Sequence, residues 1–195
     1  ALLAALLLSP PVGSGVTQAT TQPVSSFEVA AEPRRVIIDT DPGGDDALAL
    51  LLALNSPVIR VEAVTVVHGN TTGQQGLANA LRLVSLAGRN DVPVAGGALR
   101  PLAQKSMTAE FIHGQNGLFD IQLPEPKLNA DPRFGPDLII HLVRKHPRQV
   151  TIVALGPLSN LALALAKDPD IVPFVKEVVL MGGSLSGGNV TGAAE

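Results

Sequence analysis

From residue 35 to residue 181 short β-branched runs alternate with longer apolar-periodic ones: RVIIDT, DDALALLLAL, VEAVTVV, QQGLANALRLVSLA and VPVA, then PDLIIHLVRKH, VTIVAL, LSNLALALA and EVVLM. The order therefore predicts an open, mostly parallel α/β sheet flanked by helices.

In detail, the pattern predicts strands over Val36–Thr40, Val61–Val67, Val92–Ala95, Val150–Leu155 and Glu177–Met181. It predicts helices over Asp45–Leu54, with Asp45 as N-cap after a Pro-Gly turn, over Gln74–Ala87, closed by Gly88, and over Pro136–His146 and Leu158–Ala166. Residues 96–135 break the rhythm with Gly, Pro and Asn and read as a long surface excursion, a kind of segment that is commonly functional. The tail from Gly182 is rich in Gly.

With 195 residues the chain has enough length for one domain with a substantial core. Residues 1–31 stand apart: ALLAALLL, Ser9-Pro10-Pro11 and a stretch rich in Ser, Thr, Gln and Gly resemble the remnant of a secretory signal followed by a flexible segment. The expectation is an exported, periplasmic or extracellular protein whose sequence is incomplete at its front; the blander alternative is a buried N-terminal helix. The apolar run is too short for a stable membrane span. A net charge of −3, with Arg34-Arg35 as the largest basic cluster, gives no footprint for nucleic acid. Five Phe and no Trp or Tyr leave little for stacking on single strands. Without cysteine, disulfides, thiolate metal sites and a Cys nucleophile are excluded. His68, His113, His141 and His146 lack the spacing of a helical zinc motif.

Four aspartates, Asp39, Asp41, Asp45 and Asp46, fall within eight residues where the first strand passes into the first helix. Carboxylates a few ångströms apart repel by ~4 kcal/mol per pair at a surface-like dielectric, so such a cluster without Lys or Arg calls for a bound cation. Calcium, with six to eight oxygen ligands in irregular geometry, suits the set better than octahedral magnesium. Helix capping by Asp45 and a favourable helix dipole at Asp46 are the plain alternatives, and they leave Asp39 and Asp41 unexplained. Other polar residues gather after strand ends too: His68-Gly69-Asn70, Gly156-Pro157 and Met181-Gly182-Gly183. Ligands of open α/β sheets bind outside these ends, so four loops converge on one prospective pocket. Taken singly, Asn70 reads as a turn residue, His113 as solvent-exposed or pocket-lining, Met181 as core, and Asn189 and Glu195 as members of a Gly-rich loop.

The blocks DTDPGGDDALAL, VTVVHGN, IHGQNGL, VALGPLSNLALAL and VVLMGGSLSGGNVTGAAE, in this order, resemble the inosine-uridine preferring nucleoside hydrolase family from about Val36 to Glu195. The resemblance implies a calcium-dependent enzyme that cleaves the N-glycosidic bond of ribonucleosides, and commonly a homo-oligomer, dimer or tetramer. It implies Asp41, Asp46 and the main-chain carbonyl of Leu155 as calcium ligands, with Asp41 also the general base on a calcium-bound water. It places Asp45, Asn70, Asn189 and Glu195 on ribose hydroxyls, Met181 against the sugar and His113 near the base. Asp39 receives no direct role.

The family also has a later Asn and a His-Asp pair that this sequence does not contain, so the expectation is the N-terminal part of such a domain, 32–195, folding poorly and turning over little by itself. Two other readings compete. Asp39-Thr40-Asp41 imitates the paired aspartates of a haloacid dehalogenase-type phosphatase, although Gly43 stands where that motif has Thr or Val. A nucleoside- or sugar-binding protein, or an inactive paralogue, would keep the cradle without the chemistry.

Overall fold

The computed structural model describes residues 32–183 and 187–188. Five strands form one sheet: β1 Arg34–Thr40, β2 Ile59–Val66, β3 Val94–Gly96, β4 Val150–Ala154 and β5 Glu177–Leu180. Every pairing is parallel and the order is β3-β2-β1-β4-β5. The helices are α1 Gly44–Asn55, α2 Gly73–Leu86, α3 Glu110–His113, α4 Gly135–Lys145 and α5 Ser159–Lys167, followed by a 3-10 turn Pro169–Phe174.

The strands are sandwiched between helices. Val36, Ile38, Val64 and Val66 pack with Leu50 and Leu54 of α1 and Ala80, Leu83 and Val84 of α2. On the opposite face Ile37, Ala63, Ala95, Val150 and Ile152 pack with Leu138, Ile139, Leu142 and Val143 of α4 and Ala164 of α5. Ile37, Leu50 and Leu138 are completely buried, each contributing ~1.5–3 kcal/mol relative to exposure. This two-sided burial is why the strands carry apolar residues in unbroken runs.

Element identities agree with the expectations and the ends differ by one or two residues. One local reading is corrected: Asp45 does not cap α1. Gly43 occupies the cap position without any side-chain hydrogen bond, and Asp45 lies exposed in the first turn. Pro42 fixes the entry, and Gly43 and Gly44 bring the helix start one residue forward. Gly88, with φ +72°, ends α2 as expected, following Ala87 whose N–H reaches Leu83 O. The excursion between β3 and α4 contains α3 and a parallel bridge of Ala95 with Asp131.

The chain builds β1, β2 and β3 outward in one direction and β4, β5 in the other. The reversal lies between β1 and β4, the place at whose carboxyl strand ends ligands of open α/β sheets bind. Asp39–Asp41 leave β1 at that point.

Candidate active site

Asp39, Asp41 and Asp46 are all buried, and they are not equivalent. Asp39 sits in β1, in register with Thr65 on one side and Ala154 on the other. Its Oδ1 accepts from Thr65 Oγ1 (2.5 Å) and Asn160 Nδ2 (2.7 Å), while Oδ2 has no hydrogen-bond partner. Burial raises its carboxyl pKa to about 6 against the lowering effect of these two donors. An aspartate sealed in this way is unavailable as a phosphoryl acceptor, which removes the phosphatase reading of Asp39-Thr40-Asp41.

Two residues on, Asp41 leaves the sheet. Its Oδ2 accepts from the Asn70 N–H (2.8 Å), and Asn70 also donates from Nδ2 to Asp46 Oδ2 (3.3 Å). Asp46 Oδ1 accepts from the Thr40 hydroxyl. One asparagine from the loop after β2 thus bridges the carboxylates of the β1 end and of α1. Burial, and then the charge of Asp46, push the Asp41 carboxyl up to about 8, with the Asn70 N–H pulling the other way. Asp46 is raised by burial and by Asp45, partly offset by Thr40. Among the described residues no ion pair involves any of the four aspartates.

The space around Asp41 is defined by two glycines. A Cβ on Gly69 would lie 2.6 Å from Asp41 Cγ, and one on Gly156 would lie 2.5 Å from Asp41 Oδ1. They follow β2 and β4 respectively, so bare backbone flanks the carboxylate. His113, buried at the end of α3, accepts from the Gly44 N–H through Nδ1 (3.3 Å), so the neutral ring carries its proton on Nε2. Phe119 packs against His113 at 5.9 Å between ring centroids and covers Gly44. The loop is tied to the site by Ala109 N–H donating to Asn70 O (2.9 Å).

The sequence-derived site residues are distributed as follows. Asp41, Asp46, Asn70 and His113 converge around the start of α1. Asp45 is exposed beside them, and its charge is felt by Asp41 and Asp46. Leu155 follows β4, its N–H donating to Asp39 O (2.8 Å), and Met181 follows β5, half-exposed, its N–H donating to Ala154 O (2.9 Å). Asn189 and Glu195 lie outside the described residues. Sequence reasoning missed Thr40, Thr65 and Asn160, which hold the aspartates, and the closeness of Gly69 and Gly156. The two threonines look like ordinary β-branched strand residues, and Asn160 like one polar residue in a helix start; only tertiary pairing reveals them.

A divalent cation fits this donor set. Two buried carboxylates, both raised in pKa, lie without an ion-pair partner among the described residues. Among the described residues no group of three or more His, Cys, Asp or Glu side chains is arranged around a metal position.

Fold and site together define an open parallel α/β protein with a cluster of buried carboxyls at its topological switch point. Residues 36–195 match the inosine-uridine preferring nucleoside hydrolase family, and the chain belongs to it. It is 46% identical over 162 residues to the pyrimidine-specific ribonucleoside hydrolase RihA of Photobacterium profundum, covering 83% of this chain and 52% of that protein. It is 42% identical over 174 residues to uridine nucleosidase 1 of Arabidopsis thaliana, covering 88% and 52%. Among solved structures it superposes on a plant nucleoside hydrolase, PpNRh1, with a TM-score of 0.79 at 42% identity, covering 84% of this chain and 52% of that one. A purine-preferring ribonucleoside hydrolase from Gardnerella vaginalis gives 0.78 at 36% identity, covering 82% and 52%. The chain therefore spans about half the length of the relatives it matches.

Proposed function

We propose that the protein carrying this chain hydrolyses the N-glycosidic bond of ribonucleosides, releasing free base and ribose, with Asp41 as general base and a calcium ion held by Asp41, Asp46 and the Leu155 carbonyl. The observation that carries the reading is the buried Asp41–Asp46 pair, bridged by Asn70 and lacking any cationic side chain. When bound, the cation supplies positive charge that acidifies water and anchors sugar hydroxyls.

The chain's own residues account for the rest. In this reading Asp41, with one carboxylate oxygen oriented by the Asn70 N–H, takes a proton from water as it attacks the anomeric carbon. The sugar becomes oxocarbenium-like, and the acidic side chains around it stabilise the developing positive charge. Asp45 and Asn70 grip ribose hydroxyls, joined in this reading by Asn189 and Glu195, with Met181 against the sugar. His113, protonated on Nε2, faces the base as a hydrogen-bond donor. Homo-oligomerisation and export, the latter resting on the apolar N-terminal run, belong to the same proposal. Among the described residues no helix is long and apolar enough to cross a membrane.

The names of the relatives bring both pyrimidine and purine ribonucleosides into the test. The protein is stripped of metal with a chelator and assayed for release of uracil from uridine and hypoxanthine from inosine, with and without added calcium. Calcium-restored release of either base is expected. Binding of nucleoside without release would favour the binding-protein reading, and no calcium dependence would overturn the assignment of the pair.

A further inference from the structure

Asp39 and Asn160 are both fully buried and lie 121 positions apart in sequence. Asn160 uses every polar group it has. Its Nδ2 donates to Asp39 Oδ1 (2.7 Å) and to Val66 O (3.1 Å), and its Oδ1 accepts from the Ala98 N–H (2.7 Å). One side chain from the first turn of α5 thereby joins the ends of β1 and β2 and the loop after β3. Gly97 permits this approach, since its Cβ would fall 2.5 Å from Asn160 Cγ.

Each joined element carries part of the site. Asp39 precedes Thr40, whose hydroxyl holds Asp46, and then Asp41 itself. The Asp39 carbonyl accepts from Leu155 N–H (2.8 Å), and Val66 leads through Val67, whose N–H is bound by Thr40 O, to Asn70. Thr65 adds a second donor to Asp39 from β2. None of the side chains of Asp39, Thr65 and Asn160 touches Asp41, Asp46 or Asn70 through a hydrogen bond. A hydrogen-bonded group fully enclosed at the carboxyl ends of three elements is a stiff mount for whatever those ends hold.

We infer that Asp39, Thr65 and Asn160 form a buried brace of positioning residues that sets the spacing of Asp41 and Asp46 for a cation. The inference rests on the assignment of that pair as cation ligands. Residues behind metal ligands commonly change affinity by about 10- to 100-fold when removed.

The test is calorimetric titration of calcium alone into the metal-stripped protein, with each variant held well below its own melting midpoint. Asn160→Ala and Asp39→Ala are expected to weaken calcium binding by about 10- to 100-fold. Asp39→Asn keeps an oxygen for Thr65 and Asn160 and is expected to recover most of the affinity lost in Asp39→Ala. Thr65→Val removes one bond, is less disruptive to folding and is expected to weaken binding in the same direction, which covers the case in which Asn160→Ala fails to fold. Wild-type calcium affinity in folded Asn160→Ala or in Thr65→Val, with only the melting midpoint lowered, would overturn the brace. So would equal losses in Asp39→Asn and Asp39→Ala, since the effect would then follow charge rather than geometry. If the wild-type protein takes up no calcium, the ligand assignment itself fails, and the brace falls with it.

Discussion

Gly69→Ala is the substitution whose consequence is best determined by the geometry. The added methyl carbon would lie 2.6 Å from Asp41 Cγ and 2.9 Å from its Cβ. Ordinary carbon–carbon contact begins near ~3.5 Å, so Asp41 must retreat by about 1 Å. Retreat is blocked, because Gly156 backbone stands on the far side, near enough that its own Cβ would meet Asp41 Oδ1 at 2.5 Å. Overpacking of this kind costs about 1–3 kcal/mol of stability. The effect on function is larger in proportion, since ligand distances tolerate only about ±0.2 Å and a 1 Å misplacement of a reacting group is worth ~100-fold in rate. Gly69→Ala is therefore expected to lower calcium affinity and kcat/KM each by about two orders of magnitude. Gly88→Ala is the control: at φ +72° with nothing within 4 Å, it strains the backbone by about 1 kcal/mol far from any clash and leaves both quantities alone. Calorimetry with calcium and a steady-state uridine and inosine assay on both variants decide the matter. A Gly69→Ala protein that binds and turns over like the wild type would refute the flanking of Asp41 by close backbone as a functional constraint.

Asp41→Asn retains shape and removes the base, so kcat is expected to fall by about 10²- to 10⁴-fold while the metal-free melting midpoint stays level or rises; steady-state kinetics and thermal melts check this. The raised carboxyls also set a pH dependence. With Asp39 at about 6 and Asp41 at about 8 in the fold, the native metal-free protein binds more protons than the unfolded chain above about pH 4. Its stability is therefore expected to fall as pH rises from about 4 to 8, and added calcium is expected to raise the melting midpoint more at pH 8 than at pH 5, which scanning calorimetry at the two pH values would read. β5 is the outer strand of the described sheet, with Val178, Val179 and Leu180 between 43% and 50% exposed. Val179→Lys is accordingly expected to reduce self-association of this 195-residue chain in light scattering without lowering its melting midpoint.

Most of the fold was legible because β1, β2 and β4 are largely buried on both faces, as the apolar-rich runs VIID, VTVV and VTIVA imply, whereas the run EVVL of β5 is exposed. Helix starts were less legible. At α1 the local cap preference of Asp45 lost to a Pro-Gly-Gly turn that begins the helix one residue earlier. The site was legible where charge density exceeds what a structural role explains, as at Asp41 and Asp46, and where short blocks resemble a known family, as at Asn70 and His113. It was opaque where function depends on a partner far along the chain. Asp39 had no readable role, because Thr65 and Asn160 are 26 and 121 residues away and neither residue type advertises the contact. The flanking by Gly69 and Gly156 was equally hidden, since a glycine after a strand normally signals only a turn.

The electrostatics and the packing of the site point the same way. A chain selected for stability alone would answer the Asp41–Asp46 repulsion with a Lys or Arg, as it answers Glu62 with Arg35 and Arg60, and Asp168 with Arg144. At Asp41 the neighbouring positions are instead Gly69 and Gly156, where even a methyl group does not fit. A side chain at either of these two positions is thus sterically closed, while Asn70 supplies donors that orient the two carboxylates without cancelling their charge. Local choices depart here from what stability alone would favour, which is the pattern expected of a functional site. Under the proposed function, a bound cation is what relieves the pair. If the pair holds a cation as proposed, cation affinity and apo-state instability are two results of one arrangement, and a variant that removes the first should also relieve the second.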